Sequence, residues 1–313
     1  MDLFKEIIKG NKVALAKGIT LLESSLSSDT LLAQKLLENC LPESGNSIRI
    51  GITGVPGVGK STFIESFGKL LTNKGHKVAV LAIDPTSEKT FGSILGDKSR
   101  MNQLSVDENA FIRPSPSAGI LGGVASKTKD SIVLCEAAGF DIILVETVGV
   151  GQSETTVSNI CDFFLLLMLA GAGDELQGIK RGIMELADMI VISKAEGDNL
   201  QKSKNAKLEY QRALHLFPAM ENAWTPKVSV CSALENTGIT EIWEVIKEYN
   251  SKMTSSGWKT GNRERQNIYF LHHTIKEELG NKKYNSLKSE RKLDVLETKL
   301  SEGKSIFQII EEI

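Results

Sequence analysis

Residues Gly54-Val55-Pro56-Gly57-Val58-Gly59-Lys60-Ser61 form a complete G-x-x-x-x-G-K-[ST] octet, a pattern whose chemistry is phosphate binding. Glycines admit backbone conformations and close approaches that other residues resist. Successive N–H groups from Gly57 to Thr62 can then turn into one cavity, where a helix start adds a favourable field for an anion. Lys60 supplies a cation for the outer phosphates, and the Ser61 hydroxyl is a hard oxygen donor suited to Mg²⁺. A glycine-rich turn without a chemical task would not need all four fixed positions between an apolar run and a helical pattern. The octet implies a nucleoside triphosphate ligand.

Two carboxylates extend this chemistry. Asp84 closes the apolar run Val78 to Ile83, and Glu146 closes the run that begins at Ile142. In open α/β sheets, ligands bind outside the carboxyl ends of the strands, so both acids are expected at the phosphate crevice. A lone acid at a strand end is ordinarily a turn or cap residue. Beside a phosphate loop it becomes a candidate Mg²⁺ ligand, direct or through water. Glu146 leads into Thr147-Val148-Gly149-Val150-Gly151-Gln152, whose glycines suit a loop that senses a γ-phosphate. Gly149-Val150-Gly151 also begins like the dinucleotide fingerprint, but Glu154 stands at its third glycine and that reading is set aside.

Base recognition is expected from two further segments. Ile192-Ser193-Lys194-Ala195-Glu196 occupies the position of the N-K-x-D motif of GTPases. There a carboxylate accepts hydrogen bonds from the guanine ring N–H and exocyclic amine. Glu196 keeps that acceptor chemistry with one more methylene, whereas Ser193 lacks the amide that braces neighbouring loops. Taken alone, the segment also fits a strand end followed by a helix start. Cys231-Ser232-Ala233-Leu234 resembles the short loop that presents backbone N–H groups to the guanine carbonyl.

These residues need strands and helices to hold them. Apolar runs at 47–53, 78–84, 141–146, 163–169, 189–193 and 227–230 alternate with helical patterns. Their continuous apolar character predicts strands buried on both faces, hence an α/β, P-loop NTPase fold with a doubly wound, mostly parallel sheet flanked by helices. Residues 1–46 read as an N-terminal helical extension, 47–250 as the nucleotide domain, and 251–313 as a C-terminal helical extension opening on a linker at 251–262. Between Pro85 and Thr128 lies a stretch rich in Gly, Ser and Pro, of the length that is usually functional. The C-terminal stripe Ile268, Leu271, Ile275 and Leu279 must pack against its own domain or a second subunit, which makes this extension a candidate dimerisation arm.

Composition narrows the partners. Among 313 residues, charged ones make up 24% and hydrophobic ones 41%, with a formal net charge of −2. No global electrostatic case exists for nucleic acid. No apolar run is long enough to span a bilayer, and Asp2, Lys5 and Glu6 interrupt any leader-like core. Cys40, Cys135, Cys161 and Cys231 are far apart in sequence, as suits reduced thiols in a reducing compartment. A cytoplasmic location is expected, or the mature form of an organelle protein.

From about Lys12 to Trp243, and more loosely to its end, the chain resembles the MeaB/ArgK family of P-loop GTPases associated with methylmalonyl-CoA mutase. The most specific strings are Gly92-Ser93-Ile94-Leu95-Gly96-Asp97-Lys98, Ile112-Arg113-Pro114-Ser115-Pro116-Ser117, Leu121-Gly122-Gly123-Val124-Ala125, the Val145 to Glu154 segment, and Gly171-Ala172-Gly173-Asp174-Glu175-Leu176-Gln177-Gly178-Ile179-Lys180. The resemblance implies binding of GTP and GDP with Mg²⁺. It also implies a chaperone of an adenosylcobalamin-dependent acyl-CoA mutase that gates cofactor delivery and protects or reactivates the enzyme. It further implies a homodimer joined through C-terminal helices. Acids matching Asp84, Asp97 and Glu146 would surround the metal beside Ser61. The Gly173 to Gly182 segment would be a switch reporting nucleotide state, with Lys180 among its functional positions. Read from residue types alone, that segment passes for a solvated helix start.

Two other functions share the phosphate loop. A metal-insertion GTPase needs a Cys or His relay, but the only adjacent histidines, His272-His273, lie on an ordinary C-terminal helical pattern. A transport-linked ATPase or kinase needs a protein acceptor, which a sequence does not identify.

Overall fold

The computed structural model describes residues 2–24, 26–83, 101–113, 121–147, 153–171 and 181–313. Seven strands among them form one sheet: β1 (Ile48–Gly54), β2 (Val78–Ile83), β3 (Ala110–Arg113), β4 (Ile142–Thr147), β5 (Phe163–Leu169), β6 (Met189–Ser193) and β7 (Lys227–Val230). Their order is β3-β2-β4-β1-β5-β6-β7, and every pair is parallel. Register sets Ile52 of β1 opposite Glu146 of β4, so the phosphate loop and that acid leave the sheet at the same edge.

Parallel strands need crossovers that cover both faces, and alternate residues divide accordingly. Ile50, Ile52, Leu144, Leu165 and Val191 meet α4 (Lys60–Asn73) and α9 (Ile239–Ser255) through Phe63, Phe67, Ile242 and Trp243. Ile143, Val145, Phe164, Leu166 and Ile190 face the opposite core with α5 (Leu121–Ala137) and the N-terminal helices α1 (Leu3–Ile8), α2 (Lys12–Glu23) and α3 (Ser27–Cys40). On that face β1 offers Gly51, where a Cβ would stand 2.7 Å from Val157 of α6 (Ser153–Ser158). Lateral helices α7 (Arg181–Leu186) and α8 (Leu200–Leu214) complete the layer.

Two expectations change, and one open choice narrows. The segment 85–128 is not one loop: it contains edge strand β3 and the first turns of α5. The expected linker at 251–262 is mostly helical, because α9 runs to Ser255 and α10 (Trp258–Ser289) starts at Trp258, with Gly257 at φ +75 between them. The C-terminal stripe is largely buried within the chain. Leu271 and Ile275 pack with Leu287, Leu293, Leu296 and Ile309 of α10, α11 (Lys292–Ser301) and α12 (Ile306–Glu311), and α10 kinks at Gly280.

Charged groups fasten α10 to the amino end of β1. Arg263 donates to both Asp162 carboxylate oxygens, at 2.7 and 2.6 Å, and to the Gly45 and Ser47 carbonyls. Lys259 adds a bond to the Ser47 carbonyl, and Gln266 donates to the Cys161 carbonyl at 2.7 Å. Asp162 also accepts from the Arg49 N–H, while the Arg49 side chain grips Glu136 with two bonds of 2.9 Å. Burial alone would push the Asp162 carboxyl up, but Arg263 holds it below the usual carboxylate range.

Candidate functional site

Strand β1 ends on Gly54, where a Cβ would stand 2.5 Å from the Leu167 carbonyl oxygen of β5. Only glycine lets the two backbones approach this closely. Gly57 and Gly59 then take φ +77 and +96, and Gly59 caps α4 in the left-handed conformation. The first N–H groups of α4 have no partner within their own helix and face the loop. Lys60 folds back across the loop and donates to the Gly54 carbonyl at 2.8 Å. The ammonium therefore spans the concave side of the turn.

Ser61 Oγ lies 3.4 Å from Glu146 Oε1, a long hydrogen bond between a hydroxyl and a carboxylate that is 4% exposed. Two hard oxygens converging at a helix N-terminus fit a small divalent cation that keeps some of its waters. Beside them Thr147 Oγ1 donates to Thr53 Oγ1 at 2.9 Å, joining the carboxyl ends of β4 and β1. Asp84, Asp97 and Lys180 lie outside the described residues, as do the glycine loop 148–152 and the segment 172–180.

The base-side segments meet the same loop. Ser193, last residue of β6, directs its hydroxyl to the Val58 carbonyl at 2.8 Å and the Met168 carbonyl at 3.1 Å. The expected loss of bracing is corrected here: one hydroxyl spans the phosphate loop and β5, because the chains approach closely enough for a short side chain. Lys194 has φ +56, and its Cε would be 3.7 Å from a Cβ at Gly59, so its stem runs along the phosphate loop. Asn199 holds the Lys194 carbonyl at 2.7 Å. Glu196 is half-buried, and its Oε2 has no hydrogen-bond partner among the described residues. Burial first, and the Glu196 carboxylate second, push the Cys231 thiol up to about 12.

Cys231 links the two base-side segments, accepting from Ala195 N–H at 3.0 Å and donating its own N–H to the Ile192 carbonyl at 2.9 Å. Ser232 and Thr237 exchange a pair of 3.0 Å backbone bonds, closing the loop that carries Ala233 and Leu234. Ser66 Oγ of α4 donates to the Ala233 carbonyl at 2.7 Å. Ser66 belongs to no motif, and a lone serine on a helix carries no signal that would have singled it out. The described site residues Gly54 to Thr62, Glu146, Ser193, Lys194, Glu196 and Ser232 to Leu234 thus gather along one edge of the sheet.

The histidine pair is engaged elsewhere. His272 contacts the Tyr284 hydroxyl and Glu297, and His273 pairs with Glu277, all on the C-terminal helices. Among the described residues, no group of three or more His, Cys, Asp or Glu gathers as a metal would require, and no helix is long and apolar enough to cross a membrane.

Comparison with known proteins follows the same outline. Residues 15–288 match the family described as methylmalonyl Co-A mutase-associated GTPase MeaB. Over 280 residues the chain is 48% identical to the GTPase ArgK of Escherichia coli K12, covering 90% of this chain and 85% of that protein. It is 47% identical over 285 residues to the mitochondrial methylmalonic aciduria type A homolog of Mus musculus, covering 88% and 69% respectively. The crystal structure of a LAO/AO transport system kinase superposes with a TM-score of 0.78 at 38% identity, covering 99% of this chain and 95% of that one.

Proposed function

The chain belongs to the MeaB family of GTPases, and from that premise we propose that it couples Mg²⁺-dependent GTP hydrolysis to the care of an adenosylcobalamin-dependent acyl-CoA mutase. One observation supports the nucleotide reading above others: Lys60, Ser61 and Glu146 converge on the phosphate loop while Ser193 and Lys194 lean on the same loop from the base side. Loop amides and Lys60 neutralise charge that grows on the β–γ bridge as the bond breaks. Ser61 and Glu146, with Asp84 and Asp97, would hold the Mg²⁺, which when bound screens the outer phosphate oxygens. Glu196 accepts from the guanine N1–H and 2-amino groups, satisfying an oxygen otherwise buried without a donor. Ala233 and Leu234 offer backbone N–H groups to the guanine carbonyl.

The mutase as partner rests on the family and on the mouse relative's name. Lys180, in the glycine-bounded 173–182 segment, would report nucleotide state to it, and the C-terminal helices would join a homodimer. The chain would act as a chaperone, gating cobalamin delivery and protecting or reactivating the mutase. Titration with GDP and ADP in Mg²⁺ buffer, followed by GTP turnover with and without such a mutase, tests both halves. GDP is expected to bind at least about a hundredfold more tightly, given the penalty for leaving buried polar groups unpaired, and the mutase to raise turnover. Equal affinities remove the base reading; unaltered turnover removes the partner.

A further inference from the structure

Resting on that base reading, we propose that Ser66 is a positioning residue for purine selection, setting which way the peptide between Ala233 and Leu234 faces the base. Ser66 sits on α4, half-buried, on the helix that begins at the phosphate loop. Its hydroxyl donates to the Ala233 carbonyl oxygen at 2.7 Å, an ordinary distance for a well-formed bond of this kind. In a trans peptide the C=O and the following N–H point in opposite directions. Holding the Ala233 carbonyl against α4 therefore turns the Leu234 N–H away from that helix, where it makes no hydrogen bond among the described residues.

The surrounding loop is otherwise rigid. Ser232 and Thr237 are paired, the Glu235 N–H donates to Ser232 Oγ at 3.0 Å, and a Cβ at Gly238 would stand 2.3 Å from the Val230 carbonyl. Ser66 supplies the hydrogen bond that joins this rigid loop to the phosphate-side helix. At C6, the position this loop would face, guanine carries an oxygen acceptor where adenine carries an amino donor. A fixed N–H matches the oxygen and opposes the amine. Released from Ser66, the peptide can rotate and offer its carbonyl, which matches the amine and repels the oxygen. The hydroxyl thus selects guanine without touching it.

Calorimetric titration of the full chain with GDP, IDP and ADP, for wild type, Ser66→Ala and Ser66→Thr, tests the assignment. IDP shares the guanine oxygen but lacks the 2-amino group, so it separates Ser66 from Glu196. Ser66→Ala is expected to weaken GDP and IDP in parallel, about three- to tenfold for one lost hydrogen bond, with ADP unchanged or tighter. Ser66→Thr is expected to restore the wild-type ratio, and Ser66→Cys, a weaker donor of similar size, to fall between. A GDP/ADP ratio unaltered in Ser66→Ala, or equal weakening of all three nucleotides, overturns the proposal. A wild type without guanine preference removes the base reading and this inference with it. Should Ser66→Ala not fold, the ordering of the threonine and cysteine variants decides alone.

Discussion

Ser193 does with one hydroxyl what an amide does in the commoner motif, contacting the Val58 and Met168 carbonyls together. Having a single proton, it keeps none in reserve for a base, so under the proposed reading discrimination would fall on Glu196 and the Ala233–Leu234 loop. Asp188, at the amino end of β6, has a different character. It accepts the Phe164 N–H at 2.8 Å, yet burial raises its pKa from 3.8 to about 7. A carboxyl with a folded-state pKa above its unfolded value makes folding less favourable as pH rises between the two. Stability is therefore expected to fall from about pH 4 to about pH 7 through this group, with the loss complete above that. Thermal melts of wild type and Asp188→Asn across this window check it: the difference in melting temperature should shift in favour of the variant with rising pH. A constant difference would reject the assignment.

Among elements, α4 is the hub. Its first turn carries Lys60 and Ser61, and its second carries Ser66. Glu65 caps the Gln103 and Leu104 N–H groups, pinning the 101–109 turn against the helix. Gly68 makes this seat possible, since a Cβ there would stand 2.5 Å from the Leu104 side chain, which is fully buried. Gly68→Ala is expected to cost about 1–3 kcal/mol by overpacking, read as an earlier urea midpoint. An unchanged midpoint would show that Leu104 yields freely. Residue patterns in the chain foretold β5, β6 and β7 to the residue and β1, β2 and β4 within one, because continuous apolar runs admit few other readings. Strand β3 escaped notice: four residues at a sheet edge, with Ile112 and Arg113 only half-buried, sit inside a Gly- and Pro-rich stretch. The Ser256-Gly257 turn looked like a linker because a single break between two helices resembles the start of a longer one.

For the molecule as a whole, β1 is held at both ends. Its carboxyl end becomes the phosphate loop, and its amino end is clamped by the Arg263–Asp162 and Arg49–Glu136 pairs. The phosphate half of the site was legible because its motif is contiguous. The clamp was not, since Arg49, Glu136, Asp162 and Arg263 meet only after folding and nothing in their spacing announces it. Arg263→Ala is expected to cost about 3–5 kcal/mol by leaving Asp162 with an uncompensated buried charge. Denaturant unfolding should show that loss, and a loss below about 1 kcal/mol would mean that Arg49 and Lys259 suffice. The exposed Ser256-Gly257 turn is also where a protease would find the backbone. A nick there severs the covalent thread but none of the bonds made by Lys259, Arg263 and Gln266, so the two pieces would travel on as one body, cut yet still assembled.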